Sequence, residues 1–468
     1  MSAVGLVQPE VRFPLRPGRG EVALHASGFR HPASRWSGAE RFTGYRDVTH
    51  LQLGPRQLRI GTRQGVWILP RAWFADADGA ERLVHALFER IAAEPGARAQ
   101  LATMAEAEQL LREPHGLRAT PLVAALCLVV FALEEWLGPV VHHAGFMSPL
   151  LASGGEPWRL LTANVLHADV THLSLNALGL LALGALVERP LGALRTVLVL
   201  GLSAVAATAS AWLAGYDALV GASGMVAGLA GALLWLELRR TELLPAGWRI
   251  PRRPFVAAIA VDAMLPLALP MIAGAAHAAG FLAGGLAASL CSGRQLRREP
   301  LRFEALLAVG LVGAIALASL ASASRFVFGS SAWEGHAERL LEAERPPALI
   351  LNDAAWLIVT ADHPSERALS DAVELAERAV RATGGADPNI LDTLAEAQWR
   401  NGDESAALET IDAAIALQPE EPYFREQRRR FSGERAADDR PDPPEGWFPP
   451  GAPEPAPWDL SEDPGISI

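Results

Sequence analysis

The sequence predicts a multi-domain chain in which a polytopic α-helical membrane domain is flanked by a small N-terminal β-rich domain and a C-terminal α-helical repeat region. Three observations predict it. Half of the 468 residues are hydrophobic, and they concentrate in long, nearly uncharged runs between about Pro121 and Ala323. Such runs have the length needed to cross roughly 30 Å of hydrocarbon. Ahead of them lie short alternating segments punctuated by Gly, Pro and Arg, the pattern of antiparallel strands. Behind them, "AVELAERAV" (372–380) recurs as "ALETIDAAI" (407–415), an offset of 35 residues. The expected boundaries are 1–19 for a flexible N-terminus, 20–95 for the β-rich domain, 96–118 for a helical linker and 119–325 for the membrane domain. A spacer over 326–345, the repeats over 346–431 and a disordered tail over 432–468 complete the chain.

Within 20–95, "EVALHAS", "VTHLQLG", "QLRIGT" and "GVWILP" read as strands. They end in "GAERLVHALFERIAA", where Leu83, Leu87 and Ile91 recur at i, i+4 and i+8 on one face of an amphipathic helix. Strands closed by one C-terminal helix resemble the pleckstrin-homology-like fold. The segments expected to span the membrane are 121–138, 171–187, 196–214, 223–238, 254–273, 274–292 and 303–322. Arginine fixes their orientation. The two most basic loops, "LRRTELLPAGWRIPRRP" (238–254) and "GRQLRREPLR" (293–302), belong on the cytosolic side. Threading seven segments through them puts the N-terminus inside. The loop 139–170, the start of the fourth segment, the junction of the fifth and sixth, and the C-terminus then lie outside. The two repeat units, each preceded by a Trp-bearing helix, resemble tetratricopeptide repeats, whose period is about 34 residues. Such repeats imply a peptide or protein partner; a folded spacer is the alternative. The tail carries nine prolines and many acids, a composition that cannot bury a core.

The formal net charge is −11, and all 41 Lys+Arg residues are arginine. The acidic balance of the C-terminal third excludes nucleic acid as a partner. Cys127 and Cys291 both fall in apolar runs and read as packing residues. The first twenty residues lack the apolar core of a signal peptide, so the N-terminal region is expected in the cytosol. The expected location is the inner (plasma) membrane of a bacterium.

The chemistry begins at "LVGASGMVAGLAG" (219–231), which opens the fourth apolar segment. Gly224, Gly228 and Gly231 form a small-residue stripe that lets membrane helices approach closely. Ser223 lies at the outer end, within reach of water. A serine nucleophile needs a base, and a chain without lysine cannot supply a Ser–Lys dyad. His277, in "AAHAAGFLAGG", is the one histidine in a later membrane segment, and Gly280 and Gly284 follow it with the same small-residue spacing. A third stretch, "LLTANVLHADVTHLSLNALG", sets His172 and Asn176 at i and i+4, beside His167. One helical face can then aim two donors at a developing oxyanion. No HExxH and no suitable acid complete a metal set, so neither a metal nor a cofactor is expected. The G-x-G-D pattern of an aspartyl intramembrane protease is absent, and Asp262 stands alone.

Taken together, these residues resemble the rhomboid family of intramembrane serine proteases. Four features fall in the family's order: Trp158-Arg159 in the long first loop, "HADVTHLSLN" (167–176), "GASG" (221–224) and "AHAAGFLAG" (276–284). The resemblance implies a six-plus-one arrangement of transmembrane helices. It makes Ser223 the nucleophile and His277 the general base, a dyad without the acid of a triad. It assigns His172 and Asn176 to the oxyanion hole. His167, Trp158, Arg159, Glu188, Gly221, Gly224, Gly280 and Gly284 become structural supports, with His167 bracing the first loop through a hydrogen bond. One departure stands out. Four residues after the serine, where rhomboids usually carry an aromatic that packs on the catalytic imidazole, this chain has Ala227; Phe281 is a candidate substitute. The implied substrates are single-pass membrane proteins. Two alternatives remain: a rhomboid-like protein that binds membrane helices without cutting them, and a scaffold whose soluble ends carry the function.

Overall fold

The computed structural model describes residues 11–441, 466 and 467, except 33–39, 113–115, 138, 154, 217, 269–271, 292–295, 297–302, 329–330, 345 and 362. The N-terminal domain is built from two antiparallel sheets. One holds β1 (Val11–Pro14), β2 (Glu21–Leu24), β3 (Gly28–Pro32) and β4 (Glu40–Gly44); the other holds β5 (Val48–Leu53), β6 (Gln57–Thr62) and β7 (Gly65–Pro70). α1 (Gly79–Ala92) buries Leu83, Leu87 and Ile91 against Leu24, Phe29, Leu58 and Ile60 of the sheets, as the helical spacing of those residues requires. The N-terminus departs from the flexible segment expected over 1–19. Val11–Pro14 pair with β2, because Phe13 and Leu15 belong to this core.

α2 (Ala97–Arg112) leads to the membrane-type helices: α3 (Ala119–Leu137), α7 (Val170–Leu191), α8 (Ala193–Ala214), α9 (Ser223–Arg239), α10 (Arg252–Ala268), α11 (Gly274–Cys291) and α12 (Phe303–Phe328). Short helices α4 (Pro139–Gly145), α5 (Pro149–Ser153) and α6 (Arg159–Thr162) form the first loop. Among the described residues, five helices are long and apolar enough to cross a membrane: α3, α7, α8, α11 and the Val309–Val327 part of α12. The other two expected spans, α9 and α10, are 17 residues each. At 1.5 Å per residue they reach roughly 25 Å. Gly192, at φ 82°, supplies the left-handed turn that separates α7 from α8.

Beyond the bundle, α13 (Ser331–Glu342), α14 (Ala348–Thr360), α15 (Glu366–Ala382), α16 (Pro388–Arg400), α17 (Glu404–Leu417) and α18 (Pro422–Phe431) make a layered helical region. The stretch read as a spacer, 326–345, is largely helical: Ala337 and Leu340 of α13 join the core of α14 and α15. Most of the expected disordered tail, 442–465, lies outside the described residues. Ile466–Ser467, by contrast, form β9, which pairs in parallel with β8 (Ala218–Leu219) four residues before Ser223.

The two soluble regions dock at opposite ends of the bundle. At one end the β-rich domain meets the turn between α9 and α10. His50 Nδ1 accepts from the Ala246 N–H at 3.0 Å, and Arg249 Nη1 donates to the Thr62 carbonyl at 2.6 Å. At the other end, helices of the C-terminal region share a core with Phe146, Leu151, Leu166 and Val220 of the loops around the start of α9.

Candidate active site

Three helix ends converge on the stretch 221–224. α7 begins at Asp169, whose carboxylate caps the helix by accepting the His172 N–H at 2.8 Å. That cap sets the first turn, so His172 and Asn176 project from one face. Gly221 sits beneath them with φ 116°, a conformation that excludes ordinary side chains. A Cβ there would lie 2.7 Å from His172 Nε2 and 3.7 Å from Asn176 Nδ2. Glycine at 221 is therefore required twice, by backbone conformation and by room for the imidazole. The Gly221 N–H donates to the Ala163 carbonyl at 2.8 Å, tying this strand to the first loop. Ser223 then starts α9, half-buried at the helix N-terminus.

α11 is brought alongside by glycine against glycine. A Cβ on Gly280 would meet the Gly224 carbonyl, and one on Gly284 would meet the Gly228 carbonyl. The small-residue stripes expected from sequence are thus the helix interface itself, and backbones this close leave no room for side chains. Gly224 also faces Ala276 across this seam, which sets Ser223 and His277 at the same level. The Ser223–His277 hydrogen bond of a working dyad is not formed; both ring nitrogens of His277 are buried without a hydrogen-bond partner. His172 Nδ1 and Asn176 Nδ2 are in the same condition. A buried donor without a partner is costly, which makes these side chains candidates to bind a group that arrives later.

Asp262, without a second acid in its helix, has a histidine neighbour instead. Its Oδ1 lies 3.3 Å from His277 Nδ1, with an alignment short of a hydrogen bond. No motif spacing signals this neighbour; the hint in the sequence is an acid inside an apolar segment. The place of the missing aromatic at Ala227 is not filled by Phe281. Among the described residues no aromatic ring packs on His277, and the Phe281 backbone lies against Gly231.

The remaining expected residues are supports. His167 is buried and packs edge-on against His172, ring centroids 5.1 Å apart. Neither of its ring nitrogens makes a well-aligned hydrogen bond, although the Val165 backbone of the first loop lies close enough to act on the ring. Burial, followed by the neighbouring His172, lowers its pKa to about 4 and keeps the ring neutral. Trp158 Nε1 donates to the Ala144 carbonyl at 3.1 Å. Arg159 is wholly buried: Nε meets Glu156 at 2.6 Å, and Nη1 donates to the carbonyls of His143 and Phe146 at 2.7 and 2.9 Å. Glu156 also accepts from His336 Nδ1 at 3.0 Å and from Arg339, both on α13. Burial would raise the Glu156 pKa, but the His336 hydrogen bond and the Arg159 charge outweigh it and hold the group at about 2. Sequence reading missed Glu156, although it stands next to the "PWR" it serves.

Glu188, at the far end of α7, caps α3. Its two oxygens accept the backbone N–H groups of Arg118, Ala119 and Thr120 at 2.6, 2.8 and 3.0 Å, plus the Thr120 hydroxyl at 2.8 Å. A carboxylate there fills the orphan donors of a helix N-terminus and complements its dipole.

Residues 154–294 match the family model of the Rhomboid domain. Comparison with curated proteins finds no match. The matched domain and the five apolar helices support an integral membrane protein.

Proposed function

We propose that this protein is an intramembrane serine endopeptidase that cleaves transmembrane-helix substrates near the outer face of the membrane through Ser223 and His277. The observation that carries the reading is the set of unpartnered buried nitrogens on His172, Asn176 and His277, gathered around a serine at a helix N-terminus. Ser223 Oγ attacks the scissile carbonyl while His277 takes its proton. The oxyanion develops against His172, Asn176 and the Ser223 backbone N–H. An acyl-enzyme forms, His277 protonates the leaving amine, and water from the outer face completes hydrolysis. The substrate class is single-pass membrane proteins. Their helices must unwind locally before cleavage, so Gly, Ala, Ser or Pro near the scissile bond should favour it.

The docking of the β-rich domain on the arginine-bearing turn between α9 and α10 supports a cytosolic N-terminus. By the seven-span threading, the repeat region then lies on the opposite side, together with the serine. The pleckstrin-homology-like and tetratricopeptide-like readings belong to the same proposal. In it, the repeats recruit a peptide or protein partner next to the first loop. The test is cleavage of a single-span reporter in proteoliposomes by wild type, Ser223→Ala and His277→Ala. Product from wild type alone supports the protease, and equal product from all three removes it. A second reading, a non-cleaving binder of membrane helices, is favoured by Ala227 and by the lack of a ring packed on His277. Reporter retention without cleavage would support it.

A further inference from the structure

Asp262 lies in α10, in "VAAIAVDAMLPLA", a stretch otherwise free of charge. A carboxylate inside a membrane helix is costly, and persists where it has a partner or a task. The structure supplies one neighbour that is both, His277, with Oδ1 3.3 Å from Nδ1. This contact is held by the way the α10–α11 hairpin closes. One turn beyond Asp262, the ring of Pro266 packs on Gly274, where a Cβ would lie only 2.8 Å from Pro266 Cγ. One turn beyond Gly274 on the returning helix comes His277. Proline against glycine therefore fixes the depth at which the acid and the imidazole face each other. Pro266 also removes the N–H that would bond the Asp262 carbonyl, which loosens α10 at the acid.

We propose that Asp262 is a positioning residue for His277, the third member of a catalytic set that the dyad of the family does not include. This rests on the protease reading above. The carboxylate accepts a hydrogen bond from the Nδ1–H, which fixes the tautomer whose Nε2 lone pair can face Ser223. When Ser223 Oγ gives its proton to Nε2, the ring becomes an imidazolium with both nitrogens protonated. Asp262 stays ionised and stabilises that cation. The proton on Nε2 then passes to the leaving amine, and the ring returns to its starting tautomer. Its side chain is 49% exposed, against 15% for His277. The effect should therefore fall below that of a fully buried triad acid.

The experiment is fluorophosphonate labelling of full-length protein in detergent, resolving the binding constant of the probe from its maximal labelling rate. Asp262→Asn, nearly isosteric, should lower the maximal rate roughly 10–100-fold and leave probe binding unchanged. Asp262→Glu should recover much of that loss. A merely structural acid would not produce this split. Equal maximal rates for wild type and Asp262→Asn, with Ser223→Ala unlabelled, would overturn the positioning role and leave the protease reading standing. A loss in Asp262→Asn that Asp262→Glu does not recover, or that appears in probe binding, would also overturn it. No labelling of folded wild type would overturn both.

Discussion

The first loop and the start of α9 treat polar groups in opposite ways. At Arg159, each buried charge has an answer: Glu156 on one side, the carbonyls of His143 and Phe146 on the other, and His336 and Arg339 closing from α13. Around Ser223, at the start of α9, His172 Nδ1, Asn176 Nδ2 and both ring nitrogens of His277 are buried without a hydrogen-bond partner. A protein tolerates unpaired buried donors where their partner arrives later. The difference sets the ion-paired scaffold of the first loop apart from the candidate site, although His167, packed on His172, shares the unpaired state of that site. Glu188, with four donors on one carboxylate at the far end of the same bundle, belongs to the scaffold.

Several substitutions would break or sharpen this contrast. The largest effect should follow from Ser223→Ala or His277→Ala. Each should lower reporter cleavage by at least ~10³-fold with little change in melting temperature, because no scaffold contact is lost. His172→Ala or Asn176→Ala should cost on the order of 10²–10³-fold in kcat, the value of one oxyanion donor, again with the fold intact. On the scaffold side the signs reverse. Arg159→Ala removes one buried partner of Glu156 and leaves the His143 and Phe146 carbonyls without their donor, and should destabilise by about 3–5 kcal/mol, read as a lower denaturation midpoint. Glu188→Ala, which orphans three N–H groups and a hydroxyl, should cost roughly 2–4 kcal/mol.

The smallest effect is a pH dependence of the seam between α13 and the first loop. Burial first, then the charges of His336 and Arg159, holds His143 well below its ordinary pKa; burial also lowers His336, against the opposing pull of Glu156. Both rings are therefore neutral when folded and bind protons more readily when released. Their contribution is complete above about pH 6.5 and declines as pH falls below it. Glu156 works in a lower window. Its folded pKa of about 2 lies under the unfolded carboxylate value, so its contribution is present above about pH 4.5 and is lost as pH falls toward 2. Limited proteolysis between α12 and α13 should accelerate in two stages as pH falls through these windows. A flat profile would mean that the seam does not depend on these groups.

What the sequence revealed follows from the range of each signal. Leu83, Leu87 and Ile91 announce α1 because helical periodicity is local. The glycines of α9 and α11 announce their own contact because only the smallest residue fits a backbone seam. His172, Asn176, Ser223 and His277 stand in short motifs that can be read without the fold. Other features depend on partners far away in the chain. Asp262 meets His277 only because Pro266 and Gly274 close the hairpin at one depth. Glu156 looks like an ordinary loop acid until α13, some 180 residues later, brings His336. The helix over Ser331–Glu342 was hidden for a related reason: its apolar face is complete only against α14 and α15.

The central claim is that Ser223 is an activated nucleophile served by His277. Labelling by a fluorophosphonate probe in detergent tests it most directly, with wild type beside Ser223→Ala and His277→Ala. The account predicts labelling of wild type and loss of it in both variants. A folded wild type that takes no label, or a His277→Ala variant that labels as fast as wild type, would contradict it.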